Sequence, residues 1–178
     1  MATVSHTERV AVISGGSSGI GRSFVAALHA EGYRIFTCGR DAEKLRRVEQ
    51  EFPGVQASVC DLADVDAIRA FAAFVQSSGP GVDLLISNAG VMREVDFSDP
   101  AIASAELLSE VEVNLGGPIQ LIAAFMPALR AAAPSNIIVV RSYGSAGEEG
   151  TILLHPTDGA PDATTERPEQ VSYALCPG

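Results

Sequence analysis

The chain has 178 residues, 47% of them hydrophobic, with a formal net charge of −10 and Lys44 as its only lysine. That length suits a single domain over 1–178 with one sizeable core. So acidic a surface excludes the dense positive charge that nucleic-acid binding and attachment to anionic membranes require.

The first ten residues, MATVSHTERV, contain no apolar signal-like stretch. Val10 to Ser14 is a β-branched run that reads as a buried strand, followed by a glycine-rich turn from Gly15 to Gly21. Ile20, Phe24, Val25, Leu28 and His29 recur at helical spacing until Gly32 stops the helix. Tyr33 to Cys38 reads as the second strand, and Asp41 as the N-cap of a charged helix through Glu51. Pro53-Gly54 is a turn, Val55 to Cys60 a third strand, and Asp64 to Gln76 a helix with Val65, Ile68, Phe71, Ala72 and Val75 on one face. Ser78 to Gly81 breaks that helix, and Val82 to Ile86 forms a fourth strand. A long alanine-rich helix is expected from about Ile102 to Ala132, kinked or interrupted at Pro118 and Pro127. Asn136 to Val140 is a fifth strand. From 147 to 170 the chain is rich in proline, glycine, threonine and acids and reads as an irregular loop despite its brief run Ile152-Leu153-Leu154. Val171 to Cys176 is a candidate sixth strand. Strands that alternate with helices and are nearly continuous in apolar residues specify a doubly wound parallel α/β sheet of Rossmann type.

The chemistry-bearing signal is Ser14-Gly15-Gly16-Ser17-Ser18-Gly19-Ile20-Gly21, directly after a strand and opening a helix. Glycine there permits a tight turn, close approach of backbone N–H groups to a pyrophosphate, and close packing of helix on strand. The helix N-terminus adds partial positive charge and free donors. The three cysteines, Cys38, Cys60 and Cys176, have no metal-ligand spacing and read as small buried hydrophobes of a reducing, cytoplasmic compartment. No other cluster has metal spacing either.

The spacing Gly-x-x-x-Gly-x-Gly resembles the short-chain dehydrogenase/reductase family, and further segments resemble it in the same order. Asp61-Leu62 is similar to the family's acidic adenine contact, and Ser87-Asn88-Ala89-Gly90 to its Asn-Asn-Ala-Gly, with Ser87 in place of the first asparagine. Val113 to Pro118 resembles the helix segment carrying the catalytic Asn114, and Asn136 to Ser142 the fifth strand ending at the catalytic serine. The resemblance implies a nicotinamide dinucleotide held by Gly15, Ser17, Ser18, Gly19, Ile20, Gly21, Asp61, Leu62, Asn88, Ala89 and Gly90. At the end of the second strand the expected ribose-binding carboxylate is missing, and Arg40 offers a planar fork to a 2′-phosphate instead, which favours NADP with NAD as the alternative. It also implies a small carbonyl or alcohol substrate, and a homo-oligomer paired through the 102–132 helix.

The family's proton donor is a tyrosine with a lysine four residues later. A free phenol titrates near 10, so the lysine's charge is needed to make it a usable acid at neutral pH. No lysine follows Lys44, and Tyr173 lies 31 residues beyond Ser142 with Pro177 at the lysine's position. Two alignments of 171–178 stay open: a degraded catalytic-tyrosine segment around Tyr173, or the family's sixth strand with its following Pro-Gly. His155 is a weaker alternative proton donor. Three readings follow: an NADP-dependent oxidoreductase using Asn114 and Ser142, a nucleotide-binding or regulatory protein without the chemistry, or a fragment of a full-length reductase incomplete at its C-terminus.

Overall fold

The computed structural model describes residues 8–79, 81–92, 104–141 and 151–156, with backbone alone for 104–107, 141 and 151–156. Six strands, β1 (Val10–Ser14), β2 (Arg34–Gly39), β3 (Gln56–Val59), β4 (Leu84–Ser87), β5 (Asn136–Arg141) and β6 (Thr151–Pro156), form one sheet in the order β3-β2-β1-β4-β5-β6. The first five are parallel, as the continuous apolar runs require, and the order reverses between β1 and β4. At such a switch point the crossovers leave on opposite faces and open a crevice at the carboxyl ends of the strands.

Helices cover both faces. On one, α3 (Val65–Ser77) and α5 (Gly117–Ala132) bury Phe71, Leu121, Phe125 and Leu129 against Val12, Phe36 and Leu85. On the other, α1 (Gly19–Ala30) and α2 (Ala42–Glu51) bury Val25 and Val48 against Ala11, Ile13, Ile35 and Ile86. The alternation along β1 sends Val12 to one core and Ala11 and Ile13 to the other, so all five of its residues are buried.

The helix starts differ in a way that bears on the crevice. Asp41 caps α2 by accepting from the Glu43 and Lys44 amides at 3.0 Å each, and Asp64 caps α3 from the Asp66 and Ala67 amides at 2.9 and 3.2 Å. The Lys44 amide, ahead of the Glu43 amide, holds the Asp41 carboxyl below its usual value. Ser18, the N-cap of α1, makes no such side-chain bond, and the first turn of α1 carries no acid. Its leading amides therefore stay directed into the crevice without an intrahelical acceptor.

Two expectations need correction. The region expected over 102–132 is helical without a break from Ser104 to Ala132, and it is widened not at Pro127 but in a π-turn (Glu112–Gly116) between α4 (Ser104–Val111) and α5. The widened turn falls immediately before Pro118, whose missing N–H leaves a carbonyl of that turn without its helical donor. Pro127 lies inside α5 without ending it. The second correction is β6, which occupies residues 151–156 of the expected 147–170 loop and pairs antiparallel with β5. The edge of β5 presents unpaired N–H and C=O groups, and the Ile152-Leu153-Leu154 run satisfies them. Residues 157–170 and the candidate strand 171–176 lie outside the described residues.

Leu108–Ala132 is long and apolar enough to cross a membrane by length and composition alone. Leu121, Phe125 and Leu129 are nonetheless fully enclosed by the sheet and α3, as in a core helix of a globular fold. The opposite side of this helix exposes Leu108, Val111, Leu115 and Ile119.

Candidate functional site

A cleft of about 890 Å³ opens over the carboxyl ends of β1, β2, β3 and β4. Eleven of the twelve residues expected to hold a dinucleotide line it: Gly15, Ser17, Ser18, Gly19 and Ile20 from the first turn, Arg40 after β2, Asp61 and Leu62 after β3, and Asn88, Ala89 and Gly90 after β4. Its volume falls within the range of about 300–1,000 Å³ usual for small-molecule sites.

The twelfth, Gly21, works beneath the surface. A Cβ on Gly21 would stand 2.2 Å from the Gly15 carbonyl oxygen and 2.5 Å from Asn88 Nδ2. The turn and the helix start are thus packed at a distance that only glycine permits. Gly15 itself takes φ +72°, and its N–H donates to the Cys38 carbonyl at 2.8 Å, tying the turn to β2.

Ser14 is a residue that motif reasoning missed. Its Oγ accepts from the Asn88 and Ala89 amides at 3.0 and 3.1 Å, while Asn88 Nδ2 donates back to the Ser14 carbonyl at 3.2 Å. These bonds bind the ends of β1 and β4 together at the switch point. The available signal was a small hydroxyl residue closing an otherwise apolar strand. Ser87, in place of the family's first asparagine, has a buried Oγ with no hydrogen-bond partner among the described residues.

At the far end of the cleft Arg40 is exposed and forms no ion pair among the described residues, whereas Lys44, also lining the cleft, stands 3.8 Å from Asp41 Oδ2. Asp61 Oδ1 accepts from the Ala63 amide at 3.0 Å, so the carboxylate closes a turn as well as facing the cleft. Cys38 and Cys60 line the same wall, each nearly fully buried. The Cys38 thiol is pushed well up by its hydrogen-bonding contact with Cys60 and by burial; the same contact moves the Cys60 thiol down.

A second cavity of about 460 Å³ shares Ile20, Asn88, Ala89, Gly90 and Val91 with the first and adds Met92, Glu110, Asn114, Pro118 and Val140. Asn114 lies in the π-turn, and its amide clamps one peptide: Oδ1 accepts from the Val91 N–H at 2.8 Å and Nδ2 donates to the Val91 carbonyl at 2.6 Å. In this structure its side chain is a brace for the segment after β4. Replacing Asn114 with alanine should leave both Val91 groups without partners and cost about 2 kcal/mol, read as a lower urea midpoint. An unchanged midpoint would show that water replaces the clamp.

Ser142, which follows the last residue of β5, and Tyr173 lie outside the described residues. His155 is in β6 opposite Ile137, near the amino end of β5, so it sits at the edge of the sheet remote from the cleft. Among the described residues no group of His, Cys, Asp and Glu could hold a metal.

Residues 9–153 match the short chain dehydrogenase family. Over 139 residues the chain is 31% identical to the uncharacterized oxidoreductase DltE of Bacillus subtilis (strain 168), covering 76% of this chain and 54% of that protein. A metagenomic short-chain oxidoreductase solved in complex with NADP aligns with TM-score 0.69 and 39% identity over 76% of this chain and 63% of its own. An NADPH-bound short chain oxidoreductase from Pseudomonas aeruginosa PAO1, described as containing an atypical catalytic center, aligns with TM-score 0.67 and 35% identity over 75% of this chain and 54% of its own. The chain spans about half the length of the curated relatives it matches.

Proposed function

The chain belongs to the short-chain dehydrogenase family, and on that premise we propose that its cleft holds a nicotinamide dinucleotide, NADP in preference to NAD, for hydride exchange with a small carbonyl or alcohol. The observation that carries the reading is the uncapped start of α1 beneath a glycine turn, facing a cleft of dinucleotide size. Free amides at Gly19 and Ile20, with the turn at Ser17 and Ser18, suit two linked phosphates. Arg40, which forms no ion pair among the described residues, suits the 2′-phosphate, and Asp61 and Leu62 the adenine. Two similar structures hold NADP or NADPH.

When bound, the nicotinamide supplies or accepts the hydride. In the proposed reaction Asn88 to Gly90 floor the nicotinamide end, Asn114 fixes that floor by holding Val91, and Ser142 at the end of β5 orients the substrate oxygen. Tyr173 is the proposed proton donor if the 171–178 segment is the degraded catalytic one. The exposed stripe Leu108, Val111, Leu115 and Ile119 supports pairing with a second copy through this helix. A nucleotide-binding protein without turnover is the second reading, favoured by the absence of any lysine after Lys44.

Quenching or shift of NADPH fluorescence on titration tests the site, and the absorbance of the reduced cofactor with a panel of aldehydes and ketones separates enzyme from binder. Arg40→Ala should weaken NADPH by about tenfold, the loss of one charge-assisted contact, while NADH affinity stays put. An equal loss for both cofactors would remove Arg40 from 2′-phosphate recognition.

A further inference from the structure

We propose that Cys38 and Cys60 are a redox-modification site: a dithiol in the wall of the cleft that a hydroperoxide converts to a disulfide, closing the adenine end to ligand. The closure rests on the cleft being the dinucleotide site; the disulfide chemistry does not.

The register places the pair. Cys38 is opposite Ser58 and Gly39 opposite Val59, and the Cys60 N–H donates to the Gly39 carbonyl at 2.9 Å. Cys60 therefore stands just past the paired end of β3, diagonal to Cys38, and both sulfurs belong to the same core cluster and line the same cleft. Contact with Cys60, and then burial, raises the Cys38 thiol, while the same contact lowers the Cys60 thiol, so Cys60 is the more readily ionised of the two. The more acidic thiol and its partner thus share one wall of the cleft, their small remaining exposure directed at the space a hydroperoxide would enter.

The step balances. The Cys60 thiolate attacks one peroxide oxygen, the O–O bond breaks, and the departing hydroxide takes up a proton to leave as water. The Cys60 sulfenic acid is then attacked by Cys38, which gives up its proton as the sulfenic oxygen leaves as a second water. Two thiols lose two electrons to one hydroperoxide, which gains them.

The consequence for the cleft is geometric. With parallel strands about 4.8 Å apart and a rise of about 6.6 Å over two residues, the diagonal Cα atoms stand about 8 Å apart, whereas a disulfide holds its Cα atoms within about 6.8 Å. Bridging therefore draws the end of β3 toward β2. Gly39 and Arg40 follow Cys38 directly, and Asp61 and Leu62 follow Cys60; all four line the cleft and move with the bridge.

The experiment uses the full chain carrying Cys176→Ser, treated with hydrogen peroxide in the presence and absence of NADPH. The expected results are a loss of about 2 Da for the two hydrogens and a cross-link between tryptic peptides 35–40 and 48–69. NADPH affinity should fall by at least about tenfold and return with dithiothreitol. Bound NADPH, lying over both sulfurs, should slow the modification. Cys60→Ser should remove the cross-link. Absence of that cross-link after peroxide treatment overturns the proposal, as does a cross-linked protein with the affinity of the reduced one. A reduced chain that never binds NADPH overturns the dinucleotide reading and the closure with it, while the peptide map still reports on the dithiol, so the two failures are told apart.

Discussion

Gly21→Ala should abolish useful NADPH binding, lowering affinity by about 100-fold or more. The added Cβ would sit 2.2 Å from the Gly15 carbonyl oxygen and 2.5 Å from Asn88 Nδ2. Neither neighbour can yield cheaply. Gly15 is fixed by its N–H bond to the Cys38 carbonyl, and Asn88 is held by its bonds to Ser14. Relief requires α1 to back away from the turn, which withdraws the amides proposed to meet the phosphates. Overpacking of this kind costs about 1–3 kcal/mol, so the variant should still fold, and its circular dichroism will separate lost binding from lost structure. Gly32→Ala is the paired control. Its Cβ meets nothing within 4 Å, its φ of +75° carries the same kind of backbone penalty, and it lies outside the cleft lining. A folded Gly21→Ala protein that binds NADPH as well as the parent would remove the phosphate-loop argument.

Phe125→Ala should be the most destabilising single change in α5, by about 3–5 kcal/mol. The ring is fully enclosed and meets Phe71 of α3 edge-on at 5.7 Å between centroids. That contact joins the two helices covering one face of the sheet, and the cavity left behind has few ways to collapse. Domains of ordinary size are stable by only about 5–15 kcal/mol, so the urea midpoint should drop sharply. Phe71→Ala should cost a similar amount, and the double variant less than the sum, because both remove the same contact. Additive losses would show that the two rings stabilise the fold separately.

The residues that made the fold legible are those whose pattern has one physical meaning. Val10 to Ser14 ending in a glycine turn specified the central strand, and the uncapped Ser18 start of α1 agrees with a helix that faces a ligand rather than its own side chain. The glycine turn, Asp61-Leu62 and Asn88 to Gly90, expected together from their order, do line one cleft. The π-turn was not legible: Glu112 to Gly116 mixes good and poor helix formers, and the bond of Asn114 to Val91 within it joins segments 23 residues apart. Nor was β6, because a strand that pairs along an exposed edge is decided by its partner rather than by its own proline- and glycine-rich surroundings. Ile20 continued the helical apolar period yet is half exposed at the mouth of both cavities. Periodicity could not distinguish a core side chain from a wall of the site, since both demand an apolar residue on that face.

The reciprocal bonds between Ser14 and the Asn88-Ala89 peptide join two strands brought from 74 residues apart into one rigid ledge. The ledge is assembled when the sheet folds, before any ligand arrives. Association is therefore spared the entropy of organising its own receptor surface, and the free energy released on contact appears in the affinity. Stability of the sheet and strength of binding are tied at this one hydroxyl.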